Sequence, residues 1–144
     1  MVIKLNKIME NKLIFRPLKE EDYEIICSWW KWWRWPVLPK SVLPDNGKGG
    51  FMVEKNNIPI VSGFLFISNS EMAMLEWVVS NPKYKEKDRK QAIELLITGV
   101  ENCCRQMGSK HIITLGRNKH LIETHEKLGW FVDKKPSYEI IKNL

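Results

Sequence analysis

The chain has 144 residues, 44% hydrophobic and 28% charged, a composition that is ordinary for a single globular domain spanning residues 1–144. Its formal net charge of +6 favours anionic ligands, such as a phosphorylated cofactor or a nucleic acid. No apolar run approaches the about 20 residues of a membrane span, and the N-terminus lacks the apolar core of a signal peptide, so we expect a cytoplasmic protein with no membrane partner. The three cysteines have neither disulfide nor metal-ligand spacing, so no metal is predicted.

The first predicted elements are a strand at residues 13–18 and a helix that begins near Glu20, where acidic residues suit the helix dipole. The helix ends before Pro36. Residues 36–50 then contain three prolines and three glycines, which predict a loop with turns rather than a regular element. A loop of this length in a small domain is usually functional.

Tryptophans surround the end of this helix instead of forming one stripe, so they cannot all face a core. With Lys31 and Arg34 between them, they are typical of a surface that stacks bases and binds phosphates. We therefore take Trp29, Trp32 and Trp33 as candidate substrate-binding residues. The alternative is that two or three indoles pack on the sheet while the others close the loop. The tryptophans concerned are Trp29, Trp30, Trp32, Trp33 and Trp35.

The middle of the chain predicts three strands and a long helix. Gly50–Lys55 and residues 60–67 form a hairpin-like pair joined by a short turn. The next strand, Met72–Ser80, is apolar nearly throughout, which suits a central strand covered on both faces. A helix with apolar spacings of three and four follows at residues 91–107, and Gly108 ends it. The basic turn before this helix is a candidate anion site, because a helix start carries free N–H groups and partial positive charge.

The last third of the chain predicts a strand at residues 111–116, a short helix that ends at Gly129 and a closing strand at residues 138–141. The element order is therefore strand, helix, loop, three strands, helix, strand, helix, strand. This order predicts an α/β or α+β fold with one central mixed sheet flanked by helices.

Local motifs occur in the beginning, middle and end of the chain. Residues 13–26 combine a strand, Arg-Pro and an acidic Asp-Tyr helix start. Residues 78–96 combine a strand end, Pro82, Tyr84 and a basic turn that leads into a helix. Residues 118–130 combine an asparagine, a helix and Glu-Lys-Leu-Gly followed by an aromatic. With these motifs, nearly the whole chain resembles the GCN5-related N-acetyltransferase (GNAT) superfamily.

The resemblance implies a fold, a co-substrate and an activity. The implied fold is a single, mostly antiparallel mixed sheet flanked by helices, as in acyl-CoA N-acyltransferases. Acetyl-CoA would be the co-substrate, and an amine of unidentified structure the acceptor, in a monomer or a homodimer. In the family the turn before the long helix is rich in glycine, but here Glu86, Asp88 and Lys90 occupy the glycine positions.

The resemblance implies cofactor contacts from the backbone N–H groups of Val78 and Val79 and from Asn118. If the turn keeps its shape, its charged residues supplement the helix-start N–H groups. If it does not, the fold has lost or changed its cofactor. The implied turn residues are Lys85, Lys87, Asp88, Arg89 and Lys90.

Two residues are candidate catalytic groups. Glu76 lies within an apolar strand where the family often carries a glutamate base, and the alternative is a carboxylate paired to a neighbouring cation. His125 stands where the family places a tyrosine acid, seven residues after the asparagine, and an imidazole can act as acid or base. The alternative for His125 is a half-exposed helix residue with no catalytic part.

The sequence leaves two classes of function open. The first is an enzyme, an acyl-CoA-dependent N-acyltransferase. The second is a nucleic-acid-binding or nucleobase-modifying protein of the same fold without ordinary acetyl transfer, since some phage DNA-modification proteins are similar to this superfamily in fold. Binding of CoA would support an N-acyltransferase or a base-modifying enzyme, and salt-dependent binding of single-stranded oligonucleotides would support a nucleic-acid-binding protein or a base-modifying enzyme.

Overall fold

The computed structural model describes residues 11–144, and its centre is one five-stranded sheet. The strands follow chain order across the sheet. The first four run antiparallel to their neighbours, and the fifth runs parallel to the fourth, so the predicted mixed, mostly antiparallel sheet is confirmed. The strands are β1 (Ile14–Pro17), β2 (Gly50–Lys55), β3 (Ile58–Ile67), β4 (Met72–Ser80) and β5 (His111–Ile113).

Within residues 11–144, three α-helices flank the sheet: α1 (Asp22–Trp32), α2 (Arg89–Gln106) and α3 (Lys119–Lys127). The predicted loop between α1 and β2 contains two short 3-10 turns, Lys40–Val42 and Pro44–Gly47. None of the helices in this part of the chain has both the length and the apolar character needed to cross a membrane.

Helix α1 covers one face of the sheet and α2 covers the other. On the first face, the Trp30 ring lies 6.1 Å from the Phe64 ring of β3 and 6.4 Å from the Trp77 ring of β4. On the second face, Val100 of α2 packs with Leu75 of β4. Both layers are held by apolar surface that the elements remove from water.

Strand β4 has the predicted bounds but buries less than predicted. Met72 and Met74 are each 39% exposed, whereas Ala73 and Leu75 on the other face are fully buried. Ile26, Trp30 and Phe64 belong to one hydrophobic cluster, which we name the α1 cluster. Trp77, further along the strand, packs against this cluster, and the start of this face of β4 is left uncovered. The prediction of a strand covered on both faces is therefore wrong for the first half of β4.

The observed ends of three elements differ slightly from the prediction. Helix α1 begins at Asp22 rather than near Glu20, because the Asp22 carboxylate accepts the N–H of Lys19 at 2.7 Å and closes a turn before the helix. Helix α2 begins two residues early, at Arg89, and Gly108 with a φ of 87° follows its end as predicted. Strand β5 ends early because its pairing with β4 stops at Ile113.

The predicted hairpin between β2 and β3 is confirmed. Lys55 pairs with Ile58, and the two residues between them are Asn56 and Asn57, with φ values of 51° and 63°. Asparagine tolerates this left-handed conformation, which the tight two-residue turn requires.

The predicted closing strand at residues 138–141 is wrong, because residues 130–144 contain neither strand nor helix. Tyr138 and Ile140 are 87% and 94% exposed, and β5 has no outer neighbour in the described sheet. Glu139 forms an ion pair with Arg117 at 2.6 Å, which ties the segment to the region after β5. A strand needs a partner for its backbone groups, and the segment pairs with none of the described strands.

Candidate active site

The sheet opens where β4 and β5 stop pairing. Their pairs run from Met72–His111 to Met74–Ile113. Further along β4, Trp77 has a φ of 58°, and the register with β3 shifts between Ser62 and Phe64. These features define a β-bulge, which bends a strand and re-aims its side chains. Beyond Met74, the outer edge of β4 therefore has no strand beside it in the described sheet.

Glu76 lies at this opening, directly before the bulge. It pairs with Phe64, a member of the α1 cluster, so its side chain is on the α1 face. Burial raises the pKa of Glu76 to about 7, while the Leu115 backbone lowers it and Glu139 raises it further. None of these groups is a cation, so the alternative of a carboxylate paired to a cation finds no support. A half-buried carboxyl that titrates near neutral pH is suited to exchange protons.

Val78 lies in the bulge, beside the opening. The N–H of Asn81 donates to the carbonyl of Ile60 at 2.7 Å, so β3 and the end of β4 stay hydrogen-bonded beyond the bulge. Val79 pairs with Ser62 of β3, whereas Val78 lies within the register shift and has no register partner on β3. Of the two residues predicted from sequence, Val78 is therefore the one that stands outside the regular pairing with β3.

The carboxylate of Asp88 is neutralised from the side of β2. Its Oδ2 lies 2.8 Å from Lys55 Nζ, and its Oδ1 accepts the hydroxyl of Tyr84 at 2.6 Å. The hydrogen bond from Lys55 is the main cause that lowers the pKa of Asp88. Burial, followed by Asp88, raises the pKa of Tyr84 to about 12, so the phenol keeps its proton. The negative charge of Asp88, at a position where the resemblance implies glycine, is thus compensated within the protein.

Residues 83–90, which we name the basic loop, lead into α2. Arg89 donates from Nη2 to Ser80 Oγ at 2.6 Å, which fastens the loop to the end of β4. The backbone N–H groups of Lys90 and Gln91 have no acceptor within residues 11–144. Free helix-start N–H groups beside cations are the chemistry of an anion-binding site. The exposed cations of the loop are Lys83, Lys85, Lys87 and Lys90.

The motif near the end of the chain builds α3. Asn118 Oδ1 accepts the N–H groups of His120 and Leu121 at 2.9 and 3.3 Å, which caps the helix start and leaves its amide nitrogen for the predicted cofactor contact. Gly129, with a φ of 91°, ends the helix. Trp130 then turns back, and its backbone N–H donates to the carbonyl of His125 at 3.0 Å.

His125 is 4% exposed, so the alternative of a half-exposed residue is wrong. Its Nδ1 lies 2.8 Å from the Leu121 carbonyl, which accepts, so Nδ1 carries the proton. The Trp130 ring stands edge-on at 4.7 Å, and Nε2 is buried with no partner among the described residues. Burial lowers the pKa of His125, although the Leu121 carbonyl and Glu101 oppose the shift.

The structure places the two candidate catalytic residues on different sides of the sheet. Helix α3 joins α2 through an ion pair between Lys127 and Glu94 at 2.8 Å, and Trp130 Nε1 donates to Glu101 of α2 at 2.7 Å. His125 is therefore on the α2 side, whereas Glu76 is on the α1 face. A catalytic part for His125 stays a prediction.

The tryptophans divide between core and surface. Trp29 and Trp30 are 5% and 0% exposed in the α1 cluster, so Trp29 offers no surface to a substrate and its predicted binding role is corrected. Trp33 is half-buried and donates from Nε1 to the Ser80 carbonyl at 2.9 Å. Trp32 and Trp35 are 59% and 39% exposed. Of the predicted substrate-binding indoles, Trp32 and Trp33 are accessible.

Sequence reasoning missed Lys55 and Ser80. Lys55 is 33 residues from Asp88, and no local spacing links the two. The one available signal was chemical, because an acidic residue at a glycine position beside an anion site needs a compensating cation. The described residues contain no cluster of three or more side chains that could hold a metal ion.

Several solved structures have a similar fold. N-acetylglutamate synthase from Neisseria gonorrhoeae, solved with coenzyme A and L-arginine, matches with a TM-score of 0.67 and 14% identity over 87% of this chain and 29% of that chain. The aminoglycoside acetyltransferase AAC(6')-Iy, solved with a CoA bisubstrate analogue, matches with a TM-score of 0.64 and 15% identity over 93% of this chain and 100% of that chain. An acetyltransferase from Trypanosoma brucei matches with a TM-score of 0.60 and 16% identity over 90% and 100%.

No family model and no curated protein sequence matches the chain. The chain shares its fold with these acetyltransferases, which agrees with the fold that the resemblance implies. At 16% identity or below, these matches show the fold alone.

Proposed function

We propose that the protein is an acyl-CoA-dependent N-acyltransferase that moves an acetyl group from acetyl-CoA to an amine. The observation that carries this proposal is Glu76, a half-buried carboxyl with a pKa raised to about 7, where β4 stops pairing with β5. Attack of an amine on a thioester needs a base that removes the ammonium proton, and a base is most effective when its pKa is near the working pH. Glu76 would act as this base and remove the ammonium proton.

The same segment supplies a hydrogen-bond donor. Val78 has no register partner on β3, and its N–H would donate to a carbonyl oxygen as negative charge develops there. Because Glu76 and Val78 flank Trp77 in the bulge, one piece of backbone presents both the base and the donor. A rigid strand holds such groups more accurately than a loop.

The residues present fit a CoA thioester. The N–H groups at the start of α2 are free, the basic loop is positively charged, and Asp88 is already neutralised by Lys55. Lys87, Arg89 and the start of α2 would hold the phosphates. The thioester would supply the acetyl group and a thiolate, which is a good leaving group since free thiols have a pKa of about 8.5.

An amine acceptor is supported by the reaction class rather than by a specific contact. Among the solved neighbours, the enzymes AAC(6')-Iy and meta-AAC0020 are named as aminoglycoside acetyltransferases, and aminoglycosides are amines. The acceptor of this chain would enter on the α1 face, where Glu76 lies.

Calorimetric titration with acetyl-CoA and CoA tests the first half of the proposal. We expect one saturable site, weakened when Lys87→Glu and Arg89→Glu are combined. The matched control is Arg105→Glu with Lys110→Glu, which makes the same charge change at the C-terminal end of α2 and directly before β5. Absence of binding by the unmutated protein at millimolar ligand would refute cofactor use.

Thiol release from acetyl-CoA in the presence of an amine panel tests the second half. Glu76→Gln should bind acetyl-CoA as the unmutated protein does but turn over about a hundredfold or more slowly, since it removes a general base. Equal turnover by the two proteins would refute the role of Glu76, while leaving cofactor binding intact.

A further inference from the structure

We propose that the end of α1 and the turn after it form a binding surface for single-stranded nucleic acid. The surface consists of residues 31–35, which we name the aromatic turn, and the neighbouring basic loop. This inference goes beyond acyl transfer and does not depend on CoA binding.

The aromatic turn exposes flat apolar rings between cations. Trp32 and Trp35 are 59% and 39% exposed, and Lys31 and Arg34 beside them are also exposed. Neither cation takes part in the ion pairs of residues 11–144, so both charges are free for a ligand. Exposed indoles interleaved with free cations match a strand whose bases stack and whose phosphates are anionic.

The rings are held in place before any ligand binds. Trp33 stands edge-on to Trp32 at 4.7 Å, and its Nε1–H is fixed on the Ser80 carbonyl at 2.9 Å. The N–H of Trp35 donates to the Trp30 carbonyl at 2.8 Å, and Arg34 takes a φ of 61° in the reversal between them. A preorganised surface loses little conformational entropy on binding.

Ser80 joins the aromatic turn to the basic loop. Its carbonyl accepts Trp33 Nε1–H, and its hydroxyl accepts Arg89 Nη2–H at 2.6 Å, although Trp33 and Ser80 are 47 residues apart. The basic loop carries five cations against Glu86 and Asp88, and Asp88 is already paired with Lys55. The fold thus brings two cationic segments that are distant in sequence together at Ser80.

A single strand fits this surface better than a duplex or an acidic protein. A duplex hides the faces of its bases, so exposed indoles add nothing to its binding. An acidic protein would pair its carboxylates with the cations, but it offers few flat rings that could stack on the indoles. Base stacking on aromatic side chains is tolerant of sequence, so the surface would bind many sequences.

The test uses fluorescence anisotropy of a labelled oligothymidylate, with a duplex of equal length as comparison. We expect the single strand to bind more tightly, to quench tryptophan fluorescence and to lose affinity steeply with salt. Equal binding of single strand and duplex would overturn the proposal, because it would show attraction to charge alone.

Variants separate stacking from charge. Trp32→Ala should weaken binding about tenfold with an unchanged salt slope, and Trp32→Phe should restore most of it. Lys31→Gln with Arg34→Gln should reduce the salt slope by about 1.4, since each lost phosphate contact on a single strand is worth about 0.7. Unchanged binding by Trp32→Ala in a folded protein would refute the stacking surface.

Two controls complete the experiment. Arg105→Gln with Lys110→Gln removes two exposed cations, at the C-terminal end of α2 and directly before β5, and should leave the affinity unchanged. CoA titration of the same preparations measures binding at the acyl-CoA site, which shares the basic loop but not the aromatic turn. A protein that binds CoA but no oligonucleotide would overturn this inference and leave the proposed enzyme standing.

Discussion

Arg16 and Asp22 form a two-pronged ion pair that joins β1 to the start of α1. Arg16 Nη1 lies 2.7 Å from Asp22 Oδ2, and Nη2 lies 3.0 Å from Oδ1. Arg16 Nε also lies 2.9 Å from Glu54 on β2, and the side chains of the three residues are at most 14% exposed. The Arg-Pro and Asp-Tyr motif therefore encodes the junction of the first strand, the second strand and the first helix.

Removal of Arg16 should destabilise the fold strongly. Arg16→Leu leaves the Asp22 carboxylate buried and unpaired, a loss on the order of 3 kcal/mol in the free energy of unfolding. Burial alone raises the pKa of Asp22, but Arg16 and the Lys19 N–H outweigh it and hold the pKa below 3.8. The pair therefore stabilises the protein above the unfolded pKa and loses this effect as pH falls through the folded pKa.

Urea denaturation at pH 7 and through acid measures the effect of Arg16→Leu. Lys40→Leu is the control, because the pair of Lys40 with Glu20 at 2.9 Å is largely exposed and should contribute less than about 1 kcal/mol. Similar losses for the two variants would contradict the structural role of Arg16.

The pKa of Glu76 predicts two opposite pH effects. The unfolded carboxyl titrates near 4.5 and the folded one near 7, so the fold favours the protonated form. Stability is therefore lost as pH rises through about 7, whereas turnover rises over the same range because the carboxylate is the base. Thermal unfolding of Glu76→Gln should match the unmutated protein at pH 4 and exceed it at pH 8. A Glu76→Gln protein that is less stable at pH 8 would contradict the raised pKa.

Gly99 lies inside α2 although glycine weakens a helix by about 1 kcal/mol relative to alanine. A Cβ at this position would lie 2.5 Å from the Phe15 ring of β1, so the close approach of α2 to the sheet requires glycine. Gly99→Ala should therefore destabilise by about 1–3 kcal/mol despite its better propensity. Phe15→Leu in the Gly99→Ala background should recover part of the loss, and additive losses in urea denaturation would show that the two residues do not interact.

The sequence predicted elements whose causes are local. The bounds of β4 followed from an apolar run that stops at Asn81 and Pro82, and the hairpin followed from Asn56 and Asn57. Burial of β4 did not follow, because it depends on how far α1 reaches along the sheet. The strand at residues 138–141 failed for a similar reason, since alternation favours a strand but only a neighbouring strand completes it.

The candidate site was predictable in type but not in geometry. Glu76 stood out because a carboxylate in an apolar strand is costly unless it has a purpose. The bulge at Trp77 gave no sequence signal, because a bulky residue rarely takes a positive φ. The contacts of Ser80 and Lys55 join residues that are distant in sequence, so they required the fold.

The environment of His125 predicts a stability effect that does not depend on catalysis. Burial lowers its pKa below 6.5, so in mild acid the unfolded state takes up a proton first and the fold loses stability as pH drops below 6.5. His125→Phe should flatten this dependence in thermal unfolding between pH 5 and 7. If the base is Glu76 alone, the rise of turnover near pH 7 should persist in His125→Phe. If the pH at which turnover rises differs between His125→Phe and the unmutated protein, His125 takes part in proton transfer.

The last prediction concerns the ion pair of Lys55 with Asp88. It distinguishes whether this pair neutralises the charge of Asp88 or holds the shape of the basic loop. If Lys55 serves to neutralise Asp88, then Lys55→Met leaves an anion beside the start of α2 and should weaken CoA about tenfold at low salt. Asp88→Asn should not weaken CoA, because the amide oxygen still accepts the Tyr84 hydroxyl and Lys55 becomes free to attract phosphate. The two variants thus change affinity differently, and added salt should reduce the difference. If both weaken CoA equally and independently of salt, the ion pair supports the shape of the loop, and compensation of charge is refuted.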